Sequence, residues 1–107
     1  MGTPVILASA YYPYSAGARF DFDYYRQQHL TMVHRLLSPY GLLRSEVVRG
    51  LPSPDGNSPR YLAVGLLHFA DPQRLADGLA AHGAEILADV SNYTDLSPDI
   101  QFAEVLP

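Results

Sequence analysis

The amino-acid sequence predicts one α+β domain built in the order β-α-β, loop, β-α-β. Three observations carry that expectation. Short apolar runs of strand length at residues 5–12, 42–49 and 61–69 alternate with two stretches of helical period. The two β-α-β halves have similar length, although no sequence repeat is visible. A chain of 107 residues, 48% hydrophobic and 17% charged, folds around one core, because two cores would leave each half too small to bury enough surface. Residues 1–107 are therefore read as a single domain.

Residues 5–12 (VILASAYY) are apolar without alternation and end at Pro13 and Gly17, as a strand buried on both faces does. Asp21 then offers an N-cap, Asp23 a negative charge for the first turn, and Phe20 a ring to staple against Tyr25. A helix is expected over residues 22–37, stopped by Pro39 and Gly41. Residues 42–49 (LLRSEVVR) read as a second strand, and residues 50–59, dense in turn formers, as the least ordered loop. YLAVGLLHF at residues 61–69 is the clearest strand, and Asp71-Pro72 supplies a cap followed by proline at the first helical position. Gly78 and Gly83 weaken this second helix, which reads equally as one helix or as two short ones broken near His82. Ile100, Phe102, Val105 and Leu106 provide a closing strand within residues 98–106.

These elements make a four-stranded antiparallel sheet of ferredoxin-like type with both helices on one face. The other face is left bare. Strand parity sets Leu62, Val64 and Leu66 opposite Ala63, Leu67 and Phe69, and both sets are apolar. A bare apolar sheet face exceeds the roughly few hundred Å2 of apolar patch that a soluble monomer exposes, so it needs a lid. The simplest lid is a second copy, giving a two-fold homodimer whose interior holds a small ligand.

Composition excludes several functions. The net charge is −4 and the basic residues are scattered, which leaves no stripe for a nucleic-acid backbone. With no cysteine there is no disulfide, thiolate metal site or Cys nucleophile. Met1-Gly2-Thr3-Pro4 lacks a basic segment before an apolar run, and no stretch approaches the roughly 20 apolar residues of a membrane helix. A cytoplasmic protein without membrane contact is expected. Phosphate loops and nucleophile elbows are missing, as are H-x-x-x-H and H-x-H spacings, so neither a dinucleotide, nor a metal, nor any other built-in cofactor is expected.

Phe20-Asp21-Phe22-Asp23-Tyr24-Tyr25 followed by His29, together with Asn92-Tyr93-Thr94-Asp95, resemble the two signature stretches of the EthD family, and the resemblance spans nearly the whole chain. It implies a dimeric α+β barrel, an assembly that elsewhere hosts isomerases, cyclases and cofactor-free or haem-using monooxygenases. It does not imply a particular reaction. Members often carry Pro two residues after the motif histidine, where this chain has Thr31, so the course of the helix there stays open.

At roughly 100° per residue, Phe22, Tyr25, His29, Val33, Leu36 and Tyr40 share an arc of about 80°, with His29 at its centre. Tyr24, Gln27, Thr31 and His34 lie opposite, which makes His34 a solvated residue on this reading. His29 is either a core imidazole bonded to a carbonyl or tyrosine, or, as the resemblance favours, a pocket acid–base group. Tyr11, Tyr12, Tyr14, Tyr25, Tyr61 and Tyr93 are candidates to orient an enolate or carbonyl oxygen, although at least half should be packing residues. His68 shares strand parity with Leu62, Val64 and Leu66, as a rim ligand or a capped edge. His82 stands beside the possible helix break, at a place where family members carry a histidine. Asn92, Tyr93 and Asp95 build either a turn or a pocket wall.

The expected function is binding of a small apolar or aromatic oxygenated metabolite, with cofactor-free proton transfer or oxidation at catalytic His29. Tyr25, His68, His82, Tyr93 and Asp95 are the expected substrate-binding residues. The alternative is a non-catalytic carrier that delivers such a compound to an oxygenase.

Overall fold

Strands β1 (Ile6–Pro13), β2 (Leu42–Arg49), β3 (Tyr61–Phe69) and β4 (Asp99–Glu104) form one sheet in the order β2-β3-β1-β4, antiparallel at every pairing. The computed structural model describes residues 5–107, so the expectation drawn from Met1-Gly2-Thr3-Pro4 lies outside the described residues. Both helical segments pack on the sheet side that carries Ala8, Tyr12, Leu42, Ala63 and Phe69. This is the ferredoxin-like α+β architecture that the element order predicts. No helix among the described residues is long and apolar enough to cross a membrane.

The first helical segment holds the main departure from expectation. It begins at the Asp21 cap, whose carboxylate accepts the Tyr24 N–H at 3.0 Å, and Phe20 packs on Tyr25 with ring centroids 5.6 Å apart. A short α1 (Phe22–Tyr24) then passes into a π-helical turn (Tyr25–His29), closed by the Leu30 N–H on the Tyr25 carbonyl, before α2 (Leu30–Leu37). A widened turn advances less per residue than an α-helix does. Leu30 is thereby brought round to the buried side with Tyr25, His29 and Val33. Thr31 does not break the helix; its hydroxyl donates back to the Gln27 carbonyl at 2.8 Å.

His34 is not the solvated residue that a uniform helix predicts. Its Nε2 lies 2.6 Å from Ser45 Oγ and the pair is half-buried, because α2 crosses the side of β2 that carries Ser45. The second helix, α3 (Pro72–Ala88), is continuous, capped by the Asp71 carboxylate on the Gln73 and Arg74 N–H groups. Gly78 is where α3 approaches the end of the first segment: an added Cβ would stand 2.9 Å from Tyr40 Cβ and 3.1 Å from Leu37. Close packing at that point requires a glycine and outweighs its cost to the helix.

Ala8, Val33, Leu36, Leu37, Leu42, Phe69 and Leu75 form one apolar cluster, and Tyr12, Tyr25, Leu30, Ala63 and Tyr93 form a second, aromatic one. The opposite sheet face, with Leu7, Tyr11, Val64 and Leu66, is covered by no element of the described residues. Gly65 sits beneath the aromatic cluster, and a methyl group there would land on the Tyr25 hydroxyl. Gly65→Ala should therefore cost about 1–3 kcal/mol in urea unfolding, with part of the loss recovered in the Gly65→Ala/Tyr25→Phe double variant. A neutral Gly65→Ala would mean that Tyr25 is not seated over β3.

Candidate functional site

After α3 the chain makes a tight turn at Val90–Asn92 and is then stitched to the segment that precedes α1. The Asp21 N–H donates to the Tyr93 carbonyl at 2.8 Å, the Thr94 hydroxyl to the Arg19 carbonyl at 2.6 Å, and the Arg19 N–H to the Asp95 carboxylate at 3.1 Å. These bonds bring Asp89 and Tyr93 against the π-helical turn, where His29 is 4% exposed. The His29 ring lies 4.9 Å from the Tyr25 ring and 4.8 Å from that of Tyr93.

His29 Nδ1 is 2.8 Å from Asp89 Oδ2. The other Asp89 oxygen accepts the Tyr24 hydroxyl at 2.7 Å and the Asn92 amide at 2.8 Å. Burial pushes the Asp89 carboxyl up, but the bonds from Asn92, Tyr24 and His29 together outweigh it and hold the group below the usual carboxylate range. Burial lowers the His29 imidazole, and the Asp89 contact opposes that shift without overcoming it. At neutral pH the pair is thus a carboxylate and a neutral imidazole. The carboxylate accepts a hydrogen bond from Nδ1–H, which leaves Nε2 as a lone-pair acceptor with no hydrogen-bond partner among the described residues.

A cavity of about 590 Å3 opens beside this ring, between the sheet and the helices. Its wall is almost wholly apolar, from Val33 and Leu37 on α2 through Leu79 and Ile86 on α3 to Ile100 and Phe102 on β4. The residues with polar side chains in its lining are Ser9, Tyr12, Tyr25, His29 and Tyr93. The Tyr12 and Tyr93 hydroxyls are 2.6 Å apart. Burial pushes all three phenols well above the ordinary tyrosine value, so they stay protonated at any moderate pH. A neutral base beside neutral O–H donors, in a dry pocket, can take a proton from a weakly acidic substrate and steady the resulting oxyanion.

No family model and no curated protein matches the chain. Solved structures do. The chain is similar to the crystal structure of an EthD-like protein from Ralstonia eutropha JMP134, with 35% identity over 98% of this chain and 95% of that one, and a TM-score of 0.90. The chain belongs to the EthD family. An ethyl tert-butyl ether D (EthD) family protein from Bacillus halodurans C-125 shares the fold at 19% identity and a TM-score of 0.69, over 96% of this chain and 99% of that one. A putative antibiotic biosynthesis monooxygenase from Bordetella bronchiseptica does so at 12% identity and a TM-score of 0.60, over 97% and 99%.

Of the residues singled out in this EthD chain, the structure gathers Tyr12, Tyr25, His29 and Tyr93 around the cavity. The others lie elsewhere. His68 is on the bare sheet face, its Nε2 3.2 Å from Glu46 Oε1, since its parity with Val64 and Leu66 takes it away from the helices. His82 is on α3 with its ring against Tyr40 at 5.8 Å, and Asp95 is exposed, bonded to the Arg19 backbone. Among the described residues no three His, Asp or Glu side chains gather as a metal site would require. This cavity lies under the helices of one chain, and none of residues 50–59 lines it. Asp89 was missed, although a carboxylate just before the Asn92-Tyr93 signature was available as the partner that a buried imidazole demands.

Linkage gives a check on this pair. Between the ordinary histidine value near 6.5 and the lower native one, the unfolded chain binds a proton that the folded chain refuses, so stability falls as pH is lowered through that window. Asp89, held below its ordinary value, adds a further loss at lower pH. Urea unfolding between about pH 7 and about pH 4 should show the upper step in wild type and lack it in His29→Gln. Identical pH profiles would assign the step to another group.

Proposed function

We propose that this EthD-family protein binds a small apolar or aromatic oxygenated metabolite in the cavity under its helices and acts on it by acid–base chemistry at His29. The observation that carries the reading is the 2.8 Å hydrogen bond from His29 Nδ1 to Asp89, which leaves Nε2 without a partner on a ring that lines an otherwise largely apolar cavity. Nε2 takes a proton from an enolisable carbon or a hydroxyl of the ligand, and the Tyr25 and Tyr93 phenols hydrogen-bond the oxygen on which charge develops. The proton returns at the same or another carbon, or the electron-rich anion is oxidised by dioxygen. Tyr25 and Tyr93 are the binding residues that this reading keeps; His68, His82 and Asp95 have no part in it. The likeness to a monooxygenase named for antibiotic biosynthesis supports a ligand of this kind. A cysteine-free chain suits the reducing cytoplasm, where we place it. The largely apolar wall also favours a second reading, a carrier that shields such a compound; purified protein that a ligand stabilises without any change in the ligand's spectrum would favour the carrier.

Acetophenone, an aromatic ketone with exchangeable α-protons, is a suitable first probe. His29→Gln should slow protein-catalysed deuterium incorporation by about 10- to 10000-fold while leaving the fold intact, and His82→Gln should match wild type. In wild type kcat/KM should fall as pH drops below the native His29 value, itself under about 6.5, and Asp89→Asn should move that limb to lower pH. Unchanged exchange in His29→Gln would place the active centre elsewhere.

The assembly belongs to the same proposal. Leu7, Tyr11, Val64 and Leu66 leave an apolar sheet face that a second copy covers, making a homodimer. Light scattering at micromolar concentration should give twice the chain mass, and Val64→Lys or Leu66→Lys should give one chain mass with the fold retained. Ala63→Lys or Leu67→Lys, on the helix-packed side, should unfold the chain instead. A wild-type protein of single-chain mass would remove the dimer from the reading.

A further inference from the structure

Tyr12 is a buried titratable residue to which the proposed chemistry gives no task. It lines the cavity, is 1% exposed, and packs edge-on against Phe20, Tyr25 and Tyr93, with ring centroids 5.0, 6.3 and 6.0 Å away. Packing alone would be served by phenylalanine. The hydroxyl that distinguishes tyrosine lies 2.6 Å from the Tyr93 hydroxyl, across 81 positions of sequence. Tyr93 is the member of this pair beside the base: its ring is 4.8 Å from that of His29, whereas the ring neighbours of Tyr12 are Phe20, Tyr25 and Tyr93 itself.

Burial keeps both phenols protonated at moderate pH, so the pair carries two protons. One is engaged between the two oxygens and the other points outward. The pair therefore has two polarities. With Tyr93 donating to Tyr12, the phenol next to His29 has no proton left for a ligand; with Tyr12 donating to Tyr93, the Tyr93 proton is free for one. An oxygen that gains negative charge beside His29 selects the second polarity, because it needs the donor. A hydroxyl that accepts one hydrogen bond while donating another is polarised into a stronger donor.

We infer that Tyr12 is a positioning residue that acts through Tyr93: its hydroxyl donates to the Tyr93 oxygen, holds the Tyr93 proton toward the ligand, and strengthens the bond formed as the ligand oxygen becomes an oxyanion. The inference rests on the reading that His29 deprotonates a ligand held by Tyr93. A paired donor of this kind is matched to an oxygen whose charge grows during the reaction, as in an enolisable ketone or a phenol. It does little for an ether oxygen, whose charge does not grow.

The probe is 4-nitrophenol, whose absorbance separates phenol from phenolate, so that the pH at which the bound molecule ionises reads the strength of the donors facing its oxygen. Tyr93→Phe should raise that pH by about 1–2 units, the worth of one hydrogen bond to a charged oxygen. Tyr12→Phe should raise it by roughly half a unit, and should lower kcat for deuterium incorporation into acetophenone by about threefold with KM unchanged. The Tyr12→Phe/Tyr93→Phe double variant should ionise the probe where Tyr93→Phe does, because Tyr12 acts only through Tyr93. Each variant keeps its ring, and cooperative urea unfolding checks that the fold is retained. A wild-type ionisation pH in Tyr12→Phe, additive shifts in the double variant, or failure of wild type to bind 4-nitrophenol would overturn the inference. The titration is independent of the exchange reaction: exchange retained in His29→Gln would remove the acid–base reading, while the shift in Tyr12→Phe would still sustain the coupling of Tyr12 to Tyr93.

Discussion

A buried imidazole cannot be left with both nitrogens unpaired, and in this chain the group that answers His29 is a single carboxylate, Asp89, held in turn by Tyr24 and Asn92. Much of the site's geometry follows from that requirement. Asp89 is charged and only 13% of its side chain is exposed, so it needs several donors, and those donors come from α1 and from the turn after α3. The contact therefore ties the start of the first helical segment to the end of the second. It also fixes the imidazole tautomer, because a carboxylate on Nδ1 leaves the lone pair on Nε2.

The π-helical turn is the local distortion that makes this arrangement fit. An undistorted helix would keep Leu30 apart from the arc of Tyr25 and His29; the wider turn places all three on the buried side, so that His29 reaches Asp89 while Leu30 joins the aromatic cluster. Such turns are often found at functional sites, and here one lies directly under the ring that bears the proposed chemistry. The backbone stitching of Asp21 to Tyr93 and of Thr94 to Arg19 keeps the two halves of the site in register across more than seventy residues of sequence.

The two faces of the sheet differ in their surroundings. One side, covered by helices, is underpacked near β4 and encloses the cavity, bounded there by a helix carrying Gly83 where a larger residue would fit. The other side carries Leu7, Val64 and Leu66 with the His68–Glu46 pair, and no helix or strand of the described residues covers it. Alternation along the strands lets each face be tuned without disturbing the other, since a residue changed on one side leaves its neighbours' side chains pointing away. The cavity-bearing face and the uncovered face can thus be altered independently.

Element type, order and most boundaries were legible in the chain alone, because caps such as Asp21 and Asp71, stops such as Pro39 and Gly41, and the change of period between strands and helices are local signals. The family was legible too, through the residues around His29 and Tyr93. Which strand face the helices cover was not, since both faces of β3 are apolar and parity alone cannot choose between them. Nor could sequence spacing show that Asp89 meets His29, that His68 turns to the far face, or that α3 runs unbroken through Gly78 and Gly83. Those outcomes depend on contacts between segments far apart in the chain: the Tyr40 packing that tolerates only glycine at position 78, the widened turn that resets the helix's phase, and the burial that makes one carboxylate the required partner of one imidazole.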